Sequence, residues 1–118
     1  MSKLTLAQQE FAQDVARLIL HAAEHGLGVT FGEVWRPAEM QELYIQQGKS
    51  WTRSSRHLDR LAVDLNLFRG ETFLQDEEEY AKLGLWWEAS RPGVNVWGAS
   101  TGRPRKDANH FERRRPAL

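Results

Sequence analysis

The amino-acid sequence predicts an α+β domain. An amphipathic helix pattern fills the N-terminal segment, and a run near residues 59–68 alternates apolar and polar residues, as a strand with one buried face does. The strand-like segments are grouped late in the chain, in the order αβα–β–α–ββ, which favours α+β over a doubly wound α/β sheet. The length of 118 residues predicts a single domain over residues 1–118.

Composition narrows the functional classes. Sixteen basic residues balance sixteen acidic ones, so no broad positive field supports nucleic-acid binding. The absence of cysteine excludes disulfides, a thiolate zinc site and a cysteine nucleophile, so any metal site must use His, Asp and Glu. The N-terminus lacks a signal-peptide pattern and no apolar run reaches membrane length. We therefore expect synthesis in the cytosol without stable membrane insertion.

The first half of the chain predicts two helices and a strand. Thr5 and Gln8 have capping-box spacing and Gly26 suits a C-cap, so we expect a helix near residues 6–25. Its apolar residues recur at helical spacing: Phe11, Val15, Leu18, Ile19 and Ala22. A strand follows in GVTFGEVW, and then a second helix, PAEMQELYIQQ, with Pro37 in its first turn and its end at Gly48.

The second half predicts a central strand, a helix and two late strands. Between Asp59 and Phe68, one face of the strand carries Leu61, Val63, Leu65 and Leu67, and the other carries Ala62, Asp64 and Asn66. FRGETF is expected to be a turn, DEEEYAKLGLWWEAS a helix with acids in its first turn, and VNVWG and ANHFER strands. RRRPAL is expected to be a frayed tail.

Histidines and carboxylates near the central strand raise the question of a metal site. His57 precedes the strand and Asp64 lies in it, about 23 Å apart if the chain is extended, so a shared ion requires a turn near LDR. Spacing alone favours a surface aspartate and a loop histidine. KDANHFE adds Asp107, His110 and Glu112, and two histidines with one carboxylate would form a three-ligand zinc set with room for water.

Two further histidines and the tryptophans are interpreted as structural. His21 and His25 are four residues apart at a helix end, but no acid lies between them as in a zinc-binding HExxH helix. Trp86 and Trp87 are expected to pack in the core, whereas Trp97 is a candidate for the wall of a cleft.

Three blocks of the sequence resemble a known family. Ser55–Asp64 follows the pattern S-x-H-x-x-G-x-A-x-D, Asp107–Glu112 reads D-x-x-H-F-E, and the helix start WRPAEMQELYIQQGKS carries Arg36 and Gln41 at matching positions. Together they resemble the zinc-dependent M15 peptidases, over about Val29 to Glu112. This family includes D-alanyl-D-alanine carboxypeptidases and dipeptidases and the phage L-alanyl-D-glutamate endopeptidases.

The resemblance implies a fold and a set of roles. The implied fold is a small α+β domain with an antiparallel sheet carrying a zinc site, as in the hedgehog and DD-peptidase group. Asp107 would be the general base for the attacking water, Arg36 would stabilise the oxyanion, and Gln41 and Ser55 would support the site. The implied zinc ligands are His57, Asp64 and His110.

One position departs from the family pattern. Arg60 stands where the family has glycine, a residue that tolerates positive φ and close backbone approach. The arginine either adapts the turn or projects into the mouth of the cleft, where it would pair with Asp59 or meet an acidic substrate. It is also compatible with altered or lost activity.

The short chain without a signal peptide or wall-binding module resembles the phage or prophage endolysin branch. The expected function is hydrolysis of the L-Ala–D-Glu bond in the peptidoglycan stem peptide, by a monomer that acts on the cell wall after release. The alternatives are a D-Ala–D-Ala carboxypeptidase and a non-catalytic domain that binds zinc or peptide. The basic residues Arg103, Arg105, Lys106 and RRRPAL are expected to be solvated rather than a nucleic-acid patch.

Overall fold

The structure is a computed structural model that describes residues 2–50, 55–100 and 107–117. Arg103, Arg105 and Lys106 lie outside the described residues. The α+β prediction is confirmed, and the elements follow one another in the expected order with one short strand added. They are α1 (Lys3–Glu24), β1 (Gly28–Phe31), α2 (Ala38–Gln46), β2 (Ala62–Arg69), β3 (Thr72–Phe73), α3 (Glu77–Ser90), β4 (Asn95–Trp97), a 3-10 turn (Gly98–Ser100) and β5 (His110–Arg113).

Helix α1 begins earlier than its sequence pattern predicts. Ser2 is the N-cap, and its side chain accepts a hydrogen bond of 3.1 Å from the backbone N–H of Thr5. Thr5 therefore lies inside the helix, and the expected Thr5–Gln8 capping box is wrong. Gly26, with φ of 76°, follows the helix as expected, because this left-handed conformation costs glycine little.

The sheet is antiparallel and has the order β1-β2-β5-β4, with β3 paired to the end of β2. The segment FRGETF, expected to be a turn, forms a tight hairpin at Gly70, whose φ is 63°. Strand β2 is central: its second half pairs with β1 and its first half with β5. This pairing places Asp64 directly opposite His110.

The core lies between one face of the sheet and the helices α1 and α3. The four alternating apolar residues of the central strand are all buried, as predicted: Leu61, Val63, Leu65 and Leu67. Trp87 on α3 is fully buried and makes edge contacts with Phe11 at 5.8 Å and Phe111 at 6.2 Å between ring centroids. The apolar face of the sheet is thereby buried in the core. The polar side chains of β2 and β5, including Asp64 and His110, lie on the opposite face.

The C-terminal segment is attached to the domain as far as Arg115. The backbone N–H of Arg114 donates to the carbonyl of Val94 at 2.9 Å, and Arg115 pairs with Asp59 at 2.5 and 3.0 Å. The expectation of a frayed tail is wrong for Arg113–Arg115, because their backbone and side-chain partners lie elsewhere in the chain. Within the described ranges, no helix has the length and apolar character to cross a bilayer.

Candidate metal centre

A tight reversal before β2 brings His57 to Asp64. The backbone N–H of Arg60 donates to the carbonyl of His57 at 3.3 Å, and that of Leu61 donates to Arg56 at 3.0 Å. Arg60 adopts φ of 58° to complete the turn. Nε2 of His57 thus lies 3.2 Å from Oδ1 of Asp64. The turn near LDR that a shared ion would require is therefore present.

The pairing of β2 with β5 brings the third donor, His110, to Asp64. Because Asp64 and His110 face each other across β2 and β5, their side chains share a face and lie within contact distance. Nδ1 of His110 is 3.1 Å from Oδ1 of Asp64. One donor atom from each of His57, Asp64 and His110 lies within 4.8 Å of the others.

Each imidazole is oriented by a second partner. Nδ1 of His57 donates to the backbone carbonyl of Val34 at 3.2 Å, and Nε2 of His110 donates to Glu112 at 2.8 Å. Nε2 of His57 and Nδ1 of His110 are then the nitrogens that face Asp64. Hydrogen bonds of this kind from the outer nitrogen set the tautomer and ring orientation of metal-ligating histidines.

The cluster is strongly coupled electrostatically. Burial raises the pKa of Asp64, but hydrogen bonds from His110 and His57, with their positive charge, outweigh burial and lower the pKa to about 2. Burial lowers the pKa of His110, but hydrogen bonds to Asp64 and Glu112 outweigh it and raise the pKa to about 9. The surroundings therefore favour positive charge between the carboxylates.

The donor set fits a metal ion. Ligands bound at 2.0–2.1 Å around a tetrahedral ion are about 3.3 Å apart, and here His57 and His110 lie 3.2 and 3.1 Å from Asp64. Two imidazoles, which are borderline donors, together with one carboxylate form a ligand set that suits zinc. The two histidines are buried and Asp64 is half-buried, so this group can hold a metal with an open side.

Beside the cluster, Arg36 is held by several partners. Its guanidinium donates to Glu33, to Gln41 at 2.5 Å and to Ser55 at 3.3 Å, and its backbone N–H donates to the carbonyl of His57 at 3.2 Å. Gln41 is buried. The structure thus brings together the three residues that the sequence singled out around the ligands.

Sequence reasoning gave no role to two neighbouring carboxylates, those of Glu33 and Glu112. Glu33 forms an ion pair with Arg36 and accepts a hydrogen bond of 3.1 Å from the hydroxyl of Tyr44. Hydrogen bonding and charge from Glu33 raise the pKa of Tyr44. Glu33 belongs to no recognised block of the sequence; the pairing of the backbone N–H of Asp64 with the carbonyl of Glu33 at 2.8 Å places it here. Glu112 lies in the block Asp107–Glu112. On a strand, a residue two positions from His110 lies on the same face as that histidine, and this spacing could have indicated the contact.

Asp107 begins the last described segment, three residues before His110. Its backbone carbonyl accepts a hydrogen bond of 3.1 Å from the N–H of His110. It lines an open cleft of about 460 Å³ together with Asn66, Asn109 and Phe73. Its carboxylate is not among the three donors of the metal cluster found within the described residues. The cleft is also lined by Glu77 and Tyr80 of α3, and none of the three donors lines it.

Trp97 and Gly98 lie against the turn that carries Asp107. Trp97 is buried, and its Nε1 donates to the carbonyl of Ala108 at 2.6 Å. A Cβ on Gly98 would lie 2.2 Å from the carbonyl oxygen of Asp107 and 2.8 Å from Cβ of His110, so only glycine allows this approach. Trp97 therefore packs beneath the site and is buried, contrary to its interpretation as a cleft wall.

The other two histidines lie on α1. The ring of His21 stacks on Trp86 at 4.4 Å, and Nδ1 of His25 donates to the carbonyl of His21 at 2.8 Å. Burial, with the nearby charge of His25, lowers the pKa of His21. Neither belongs to the metal cluster of the described residues, in agreement with a structural interpretation.

No family model matches the chain, and no curated protein matches it. Among solved structures, the chain is similar to the Serratia marcescens L-Ala D-Glu endopeptidase ChiX, with a TM-score of 0.68 and 25% sequence identity over 86% of this chain and 79% of that one. The chain therefore has the fold of a peptidase, and a three-donor cluster that can hold a metal ion lies on that fold. Together they support a hydrolytic enzyme.

Proposed function

We propose that the protein is a zinc-dependent peptidoglycan peptidase of the M15 type that hydrolyses the L-Ala–D-Glu bond of the stem peptide. One observation carries the proposal. Donor atoms of His57, Asp64 and His110 converge within 4.8 Å on a fold shared with an L-Ala D-Glu endopeptidase. The phage or prophage endolysin branch is the proposed origin of the activity.

His57, Asp64 and His110 would hold the metal, with Val34 and Glu112 orienting the two rings. When bound, zinc supplies Lewis acidity that lowers the pKa of water toward 7 and polarises a peptide carbonyl. Held outside the ligand group, Asp107 would take the proton of the attacking water and return it to the leaving amine. Its place three residues before His110, whose N–H donates to its carbonyl, supports this role.

Arg36 would stabilise the negative charge that develops on the carbonyl oxygen. Glu33, Gln41 and Ser55 hold its guanidinium in place, so little reorganisation is needed when that charge appears. Gln41 and Ser55 are therefore assigned as supporting residues. Glu33 already forms an ion pair with Arg36. The stabilisation of the oxyanion by Arg36 would therefore depend on the guanidinium N–H donors that its other partners do not occupy.

The proposed partner is the stem peptide of peptidoglycan, and the proposed working form is a monomer. Synthesis in the cytosol, followed by release to the wall, is part of the same proposal. The even balance of 16 basic and 16 acidic residues supports a partner other than nucleic acid.

Mass spectrometry of purified peptidoglycan tests the proposal. The zinc-loaded protein should release peptides with new N-terminal D-Glu, and a chelator-treated sample should release none. Free D-Ala as the product would assign the protein to the carboxypeptidases instead. No product in either sample, with metal bound, would favour a non-catalytic binding domain.

A further inference from the structure

Arg60 has a backbone conformation that its side chain disfavours. Its φ is 58°, and the other described residues with positive φ are all glycines: Gly26, Gly48, Gly70 and Gly93. In this region the Cβ of an L-residue crowds the backbone, whereas glycine enters it freely. A non-glycine residue persists at such a position when the rest of the structure holds it there, and these positions cluster at functional sites.

The side chain of Arg60 is held in place by an aromatic ring. Its guanidinium carbon lies 4.4 Å from the ring centroid of Trp35, and both residues are exposed. Stacking on an indole leaves the edge N–H donors of a guanidinium available and restricts its motion. The arrangement presents a pre-oriented cation at the surface.

Arg60 has no carboxylate partner in the part of the chain that the structure describes. The neighbouring acid, Asp59, instead binds Arg115 at 2.5 and 3.0 Å and Arg56 at 3.2 Å. The pairing of Arg60 with Asp59 that the sequence allowed is therefore not formed. Arg36, the other arginine at the site, is paired with Glu33.

The stacked pair adjoins the metal centre on both of its segments. Trp35 lies between Val34, whose carbonyl holds His57, and Arg36, whose N–H bonds the carbonyl of the same histidine. Arg60 donates its own N–H to that carbonyl at 3.3 Å. An unmatched positive charge thus stands next to a site where, by the proposed function, a glutamyl peptide bond is cut.

The chemistry of that substrate provides the counter-charge. Glutamate has two carboxyl groups, so a glutamyl residue within a peptide chain keeps one free carboxylate close to the scissile amide. We propose that Arg60, held by Trp35, binds this free carboxylate and makes the protein selective for the acid over the amidated form of the residue. The inference rests on the proposed function and deepens it.

Equilibrium binding tests the inference separately from turnover. Two synthetic L-Ala–D-Glu peptides that differ only in a free or amidated glutamyl carboxyl are titrated calorimetrically into zinc-loaded Asp107→Asn protein. The acid should bind about 2- to 5-fold more tightly, because an ion pair at an exposed position contributes about that much. Adding Arg60→Gly should bring the ratio close to one by weakening the acid alone.

Arg60→Gly is a sharp variant because glycine suits φ of 58°, so a loss of binding would not come from a misfolded turn. Arg60→Gln should behave in the same way, and Arg69→Gln, at an exposed arginine paired with Glu79, should keep the wild-type ratio. Equal binding of both peptides, or a ratio that Arg60→Gly leaves unchanged, overturns the inference. Cleavage of the same peptides by the unsubstituted chain reports separately on the proposed function.

Discussion

Asp64 is the residue on which the candidate metal centre converges. Its Oδ1 lies 3.2 Å from His57 and 3.1 Å from His110, while Val34 and Glu112 take the opposite nitrogens of the two rings. At this scale the roles separate cleanly: three residues offer donor atoms, two orient them, and Asp107 stands apart on the cleft wall. Single substitutions can therefore distinguish binding of the metal from proton transfer.

Asp107→Asn should retain the metal and lose turnover by about 10²- to 10⁴-fold, the usual contribution of a general base. His57→Ala should lose both, because one of three ligands is removed. Metal content by elemental analysis and peptide hydrolysis by chromatography measure the two effects. Near-normal turnover in Asp107→Asn would remove this residue from the proposed mechanism.

Glu112→Gln should weaken metal binding about tenfold without changing which residues ligate. The glutamine can still accept from Nε2 of His110, but the negative charge that makes the ring a better ligand is gone. Competition with a zinc indicator measures the affinity. Glu79→Gln, at a partly exposed carboxylate paired with Arg69, is the matched control and should bind like the unsubstituted protein.

At the scale of elements, the packing of α3 on β4 determines where the turn with Asp107 lies. Trp97 at the end of β4 packs over Gly84 of α3 and donates to the carbonyl of Ala108. A Cβ on Gly84 would lie 2.1 Å from Cδ2 of Trp97. The helix therefore carries glycine at a position where propensity alone would favour alanine.

Gly84→Ala should destabilise the protein by about 1–3 kcal/mol, the reverse of the usual gain from glycine to alanine within a helix. Displacement of Trp97 should also loosen the turn at Ala108 and weaken metal binding. Urea unfolding measures the first effect and zinc competition the second. Leu85→Ala, at an exposed position of the same helix, should change stability by less than about 0.5 kcal/mol. A stabilised Gly84→Ala would show that the indole moves aside without cost.

At the scale of the whole molecule, a buried carboxylate joins distant parts of the chain. Asp14 on α1 accepts hydrogen bonds from Arg91, after α3, at 2.8 and 3.1 Å and from Asn95 of β4 at 3.3 Å. Burial raises the pKa of Asp14, but these hydrogen bonds and the charges of Arg91 and Arg17 outweigh it, so the pKa lies below its ordinary value. The ionised form is therefore favoured by folding.

Asp14→Asn should cost about 2 kcal/mol of unfolding free energy at pH 7, because hydrogen bonds to a charged group are replaced by neutral ones. A lowered folded-state pKa means that this stability is present above the unfolded value of 3.8 and is lost as pH falls through the folded value. The difference between the two proteins should thus shrink below about pH 4. Urea unfolding between pH 7 and pH 3 measures it, and a constant difference would contradict the assignment.

The sequence by itself determined the elements and the residue types of the site. Helical periodicity located α1, and the alternation of Leu61 to Leu67 identified the buried face of β2, because these patterns are local and follow from backbone geometry. The motif around His57, Asp64 and His110 supplied the candidate donors. The need for a turn near Arg60 followed from chain length, on the supposition that His57 and Asp64 share an ion.

Tertiary structure decided which charges meet. Arg115 reaches Asp59 across 56 residues of sequence, and Arg91 reaches Asp14 across 77. No local pattern encodes such pairs, since an ion pair depends on distances set by strand order and register. The same non-local pairing leaves Arg60 without a described acid and stacks it on Trp35. The donors of the candidate centre could be named from sequence, but the partners that orient and balance them required the fold.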